Sequence, residues 1–126
     1  MPQTRILYVE DNEDLRDSIA MVLEEDADYT LTVCASGEEG LAQLTQCGCD
    51  VLLTDVGLPG LSGLDLAREA LTLNPQQWVL LCSGYDMAHE LTGLGPNVRT
   101  LTKPFELDTL EKLLKDISSK LRTARG

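Results

Sequence analysis

The run VLLTDVGLPG, residues 51–60, ends an apolar stretch in Asp55 and then turns through Gly57, Pro59 and Gly60. A carboxylate therefore stands where the chain leaves the core. The same arrangement recurs along the sequence: ILYV is followed by Glu10 and Asp11, WVLLC by Ser83, and VRTL by Thr102 and Lys103, with Pro104 next. If these runs lie side by side and parallel, three carboxylates, a hydroxyl and an ammonium gather in a small volume. Three close carboxylates repel one another, and a hard divalent cation relieves that repulsion. Mg²⁺ suits such a set, because it takes oxygen ligands and keeps positions for water and phosphoryl oxygens. Lys103 adds a compact positive charge and Ser83 a donor, so that together they could neutralise a phosphoryl group in transfer to, or attached to, Asp55.

The elements that must position these residues follow from periodicity. Arg5–Val9, Thr30–Cys34, Val51–Thr54, Trp78–Cys82 and Val98–Leu101 read as five short strands. Between them, apolar residues at helical spacing begin at Asn12 (Leu15, Ile19, Val22, Leu23). A second helix opens at Ser36 with Glu39 as a capping-box pair, and a third runs from about Leu64 to Leu73, where Asn74-Pro75 stops it. A weaker helix is expected over Asp86–Leu91, before the Gly95-Pro96 breaker. The last helix is marked by Leu107, Leu110, Leu114, Ile117 and Leu121. Alternating strands and helices with short loops predict an α/β fold: a doubly wound, five-stranded parallel sheet of order 2-1-3-4-5, flavodoxin-like, covered on both faces. In such a sheet the carboxyl ends of the strands share one edge, where ligands bind.

Composition bounds the rest. At 126 residues, with 43% hydrophobic and 25% charged residues, the chain reads as one globular domain, with a loose tail after about Leu121. No segment approaches the ~18 apolar residues of a membrane span, and the N-terminus lacks a secretory pattern, so a cytoplasmic protein without membrane association is expected. A net charge of −11 argues against direct nucleic-acid binding, which draws on Lys and Arg, and favours a basic partner or a divalent cation. The charge is uneven: residues 1–105 hold 17 acids and 5 bases, residues 106–126 hold 4 acids and 5 bases. The last helix thus offers a partner a different surface.

Taken together, YVEDNED, LLTDVGLPGLSG, LLCSGYD and LTKPF resemble the response-regulator receiver domains of two-component signalling, over nearly the whole chain. The resemblance implies that Asp55 accepts a phosphoryl group from the phosphohistidine of a sensor histidine kinase or a histidine phosphotransfer protein. It implies that Asp11 ligates Mg²⁺ directly, Glu10 through water, and Asp55 and the Gly57 carbonyl complete the protein ligands. Lys103 then pairs with phosphoryl oxygens, Ser83 donates to one of them, and the Lys103–Pro104 bond is cis. Such a domain catalyses only its own phosphorylation and dephosphorylation and signals to a downstream protein. Two positions depart from the pattern: Thr100 stands where receivers often carry an aromatic residue, and Leu58 where methionine is common.

Plainer readings stand beside these. Asp55 alone could be a turn residue, Asn12 a helix cap, Ser83 a loop hydroxyl and Lys103 a surface lysine. Cys47-Gly48-Cys49 lacks the paired, wider spacing of structural zinc sites, so all four cysteines are expected to be reduced thiols, and His89 a surface residue. The alternative function is a receiver-like binding module that signals without phosphate. A Mg²⁺-dependent phosphatase is disfavoured because Gly57 occupies the place of its second aspartate, and a flavin protein because EDNED repels phosphate.

Overall fold

The computed structural model describes residues 3–85 and 93–125. The helix expected over Asp86–Leu91, and His89 with it, lie outside the described residues. Among the latter the order is β1 (Thr4–Val9), α1 (Glu13–Glu24), β2 (Tyr29–Cys34), α2 (Gly37–Gln46), β3 (Val51–Asp55), α3 (Gly63–Leu73), β4 (Trp78–Ser83), β5 (Val98–Thr102) and α4 (Leu107–Arg125). The five strands form one parallel sheet in the order β2-β1-β3-β4-β5, as the alternation predicts.

The helices α1, α2 and α3 each start where a side chain takes up an otherwise unpaired amide. Asn12 accepts from Leu15 N–H, Ser36 from Glu39 N–H and Ser62 from Asp65 N–H, and acidic residues fill the first turns. The return bond of the Ser36 and Glu39 pair goes from Ala35 N–H to Glu39 Oε2 at 3.2 Å, one residue before the cap. α4 continues through Arg125, beyond Leu121 where its apolar repeat stops.

The apolar runs of the central strands look unpatterned in sequence because both faces are buried, yet they sort by parity. Ile6, Tyr8, Val51, Leu53, Leu80 and Cys82 pack on one face with Ile19 and Leu23 of α1 and Leu110, Leu114 and Ile117 of α4. Leu7, Val9, Leu52, Val79 and Leu81 pack on the other face with Leu44 of α2 and Leu66, Ala67 and Ala70 of α3. A helix layer on each side leaves the strand ends as the open edge. The turn from β1 out to β2 and back across to β3 places the topological switch point between β1 and β3.

Candidate functional site

Asp55 is the last residue of β3, level with Cys82 of β4. The main chain around it is pinned on both sides: Val56 N–H donates to Cys82 O at 2.9 Å, and Gly63 N–H to Val56 O at 3.1 Å. That return of the loop is so close that a methyl group built on Gly63 would sit 1.9 Å from the Asp55 carbonyl oxygen, so only glycine opens α3 there. Gly57, exposed in the same loop, lies beside the carboxylate, since a Cβ built on it would be 3.8 Å from Asp55 Oδ2.

Lys103 follows β5. Its backbone N–H donates to Ser83 O at 2.6 Å, adding one rung beyond the Ser83 and Thr102 pair, and the Lys103–Pro104 bond is cis. Its Nζ lies 2.8 Å from Asp55 Oδ1 and 3.6 Å from Glu10 Oε1. Glu10 is buried (2% exposed) just past β1, where Asn12 N–H donates to its Oε2 at 3.2 Å and Arg16 donates to its main-chain oxygen at 3.0 Å. Asp11 is exposed, and one carboxylate oxygen from each of Glu10, Asp11 and Asp55 lies within 4.8 Å of the others. Ser83 is buried at the end of β4, and its hydroxyl oxygen accepts from Tyr85 N–H at 3.1 Å, which leaves its own proton to donate.

The edge is thus electrostatically arranged. Burial and the charge on Asp55 push the Glu10 carboxyl above its ordinary range, against the pull of the Asn12 amide and of Lys103. Burial alone lowers the Lys103 ammonium, but its hydrogen bond to Asp55 and the charges of Glu10 and Asp55 outweigh that and raise it. Lys103 is therefore a permanent cation held against the Asp55 carboxylate. Opposite carboxylate oxygens around one Mg²⁺ stand about 4.2 Å apart at ~2.1 Å ligand distances. Adjacent ones stand about 3.0 Å apart, so three carboxylate oxygens within 4.8 Å of one another can share a single small divalent cation once they draw in by at most ~1.8 Å. Among the described residues this is the one such cluster, and Cys47 and Cys49 take no part in any.

Two residues at this edge escaped sequence reasoning. Arg16 reaches back from α1 to the loop that carries the acid pair, a contact whose only sequence signal is its place one turn into the helix. Tyr8, on β1 two residues before Glu10, is buried with its hydroxyl unpartnered, and its phenol is pushed up by burial and by the charge on Glu10. An apolar-looking strand residue carries no local sign of that position.

The profile of the family described as response regulator receiver domain matches residues 6–115, which takes in β2 to β5, all of β1 but its first two residues, and each of the site residues above. The chain belongs to the response regulator receiver family. Relatives of this receiver include the uncharacterized transcriptional regulatory protein YkoG of Bacillus subtilis, 36% identical over 124 residues, covering 97% of this chain and 53% of YkoG. The response regulator receiver protein CpdR of Brucella abortus is 30% identical over 120 residues, covering 87% of this chain and 96% of CpdR. The receiver thus spans about half the length of YkoG and nearly all of CpdR. Among solved structures, the CheY-like receiver domain protein of Methanospirillum hungatei JF-1 superposes with a TM-score of 0.82 at 26% identity, over 96% of this chain and 98% of that one. Thr100, one of the two departures from the receiver pattern, is half-buried on β5 opposite Leu81. Among the described residues no helix is long and apolar enough to cross a membrane.

Proposed function

We propose that this receiver is a phosphoryl-accepting signalling switch. Asp55 takes a phosphoryl group from the phosphohistidine of a sensor histidine kinase or a histidine phosphotransfer protein, and the modified edge changes the binding of a downstream protein. The observation that carries this reading is the Lys103 ammonium at 2.8 Å from Asp55 inside a cluster of three carboxylates. A structural ion pair needs one carboxylate, and the other two are surplus unless a cation joins them.

In this reading an Asp55 oxygen attacks phosphorus as the bond to the histidine nitrogen breaks, and the imidazole leaves with that electron pair. Lys103 exchanges part of its contact with Asp55 for the phosphoryl oxygens, and the Ser83 hydroxyl donates to another. Glu10, Asp11, Asp55 and the Gly57 carbonyl are the residues we assign to Mg²⁺, which when bound supplies charge neutralisation and alignment of the phosphoryl oxygens. The chain then catalyses only its own phosphorylation and hydrolysis. A groove of about 480 Å³ beside Lys103, lined by Leu15, Ile19, Pro104, Phe105 and Leu107, gives a protein donor an apolar surface next to the acceptor. The same reading sets the protein in the cytoplasm.

The test is intact mass after incubation with acetyl phosphate, with and without Mg²⁺, alongside Asp55→Asn. The expected result is a Mg²⁺-dependent gain of one phosphoryl group that the variant lacks. No gain, from acetyl phosphate or from a phosphorylated histidine protein, overturns the reading in favour of a phosphate-independent binding module, to which the substitution of Thr100 for an aromatic residue also points.

A further inference from the structure

The loop between β3 and α3, residues 56–62, carries Gly57 beside Asp55 and is gripped from a second element. The first turn of α2 packs against it so closely that a Cβ built on Gly37 would meet the Leu61 carbonyl oxygen at 2.2 Å. A Cβ built on Gly60, whose φ is 72°, would meet Glu38 Oε2 at 2.6 Å. That same Glu38 Oε2 accepts from the Leu61 backbone N–H at 3.1 Å, across 23 residues of sequence. On the inner side, Val56 and Leu58 are buried in the apolar layer beneath α2 and α3. The loop is therefore anchored by its own apolar side chains from below and by the Glu38 carboxylate from α2. Of these anchors Glu38 is exposed, so it can be changed without opening the core.

We propose that Glu38 is a positioning residue for the acceptor site: its carboxylate fixes the Leu61 backbone and so presets the Gly57 main chain beside Asp55 for the cation and the phosphoryl oxygens. This rests on the phosphoacceptor reading above. A loop ordered only on binding charges its lost entropy to the ligand, whereas a charge-assisted hydrogen bond to a backbone N–H orders it beforehand. Three glycines mark how closely the chain is drawn in here. At Gly37, Gly60 and Gly63 a side chain would push α2, the Glu38 carboxylate or Asp55 away from the loop.

The experiment compares wild type with Glu38→Ala, Glu38→Gln and Glu24→Ala. Gln keeps an acceptor oxygen without the charge, Ala keeps neither, and Glu24→Ala removes an equal charge from the exposed far end of α1. Three quantities are read: hydrogen exchange of the Leu61 amide in the metal-free protein, Mg²⁺ affinity by calorimetry, and the rate of phosphorylation by acetyl phosphate. Glu38→Ala is expected to speed Leu61 exchange and to weaken Mg²⁺ binding by about tenfold, the low end for residues that orient a metal ligand. Phosphorylation slows with it, Glu38→Gln falls between Glu38→Ala and wild type because a neutral acceptor makes a weaker bond, and Glu24→Ala stays near wild type. Wild-type Mg²⁺ affinity in Glu38→Ala overturns the proposal. So does an equal loss in Glu38→Gln, which makes the effect one of charge. A wild-type protein that takes no phosphoryl group sinks the phosphoacceptor reading instead, and Leu61 exchange with Mg²⁺ affinity still decides on Glu38.

Discussion

At the scale of single residues, the four thiols divide by environment. Cys34 and Cys82 are buried and Cys49 is partly so, and burial pushes all three thiols up, to about 12 for Cys49 and Cys82, while Cys47 is exposed. A thiol raised on folding binds its proton more tightly in the folded chain than in the unfolded one. Its contribution to stability is therefore complete below the ordinary thiol value of about 8.5 and is lost as pH rises from there towards the folded value. Urea unfolding midpoints are expected to hold steady through neutral pH and to fall between about pH 8.5 and 12. Cys49→Ala, before β3 and so at the far end of that strand from Asp55, should flatten part of that fall, and an unchanged slope would show that its thiol is not held protonated. Alkylation of the native protein at pH 8 should modify Cys47 alone, as mass mapping would register. Burial of this kind is readable in the sequence for Cys34 and Cys82, which sit in strand runs. It is not readable for Cys49, which lies before β3 and packs beside Leu7 and Gln77 only in the fold.

At the scale of elements, the strand-to-helix joints decide where the chemistry sits. Gly63 begins α3 in direct contact with the Asp55 carbonyl, so Gly63→Ala must move either the helix or the end of β3. Overpacking of that sort costs about 1–3 kcal/mol or more, which urea denaturation would show as a lower midpoint at unchanged m. A stability equal to wild type would mean that the loop yields more easily than its hydrogen bonds suggest. α4 is fastened differently. Its Leu110, Leu114 and Ile117 enter the core, Thr4 Oγ1 donates to Ser118 at 3.0 Å, and Lys120 lies over the Trp78 ring, 5.8 Å from its centre, as does Arg99 at 5.1 Å. The apolar part of that docking is written in the helical repeat. The cation contacts are not, because residues on β4, β5 and α4 meet at one ring only through the sheet order.

At the scale of the whole molecule, a net charge of −11 on 126 residues makes the folded state repel itself. Monovalent salt should raise the melting temperature gradually by screening, whereas Mg²⁺ should add a saturable rise worth about 1.4 kcal/mol at ten times its Kd. Asp55→Asn should abolish the saturable part and leave the screening part; a Mg²⁺ effect no larger than that of monovalent salt at equal ionic strength would argue against a built site. The sequence by itself determined the order of strands and helices, the two-faced burial of β1, β3 and β4, and the placing of Glu10, Asp11, Asp55, Ser83 and Lys103 at strand ends. These depend on local periods of 2 and 3.6 and on the rule that parallel strands end at a common edge. Only the tertiary structure decided that the Lys103 ammonium meets both Asp55 and Glu10, that the Tyr8 hydroxyl lies buried beneath them, and that Glu38 grips Leu61. Those contacts join segments far apart in the chain, and their distances follow from how closely backbones approach at Gly37, Gly60 and Gly63, which no local period encodes.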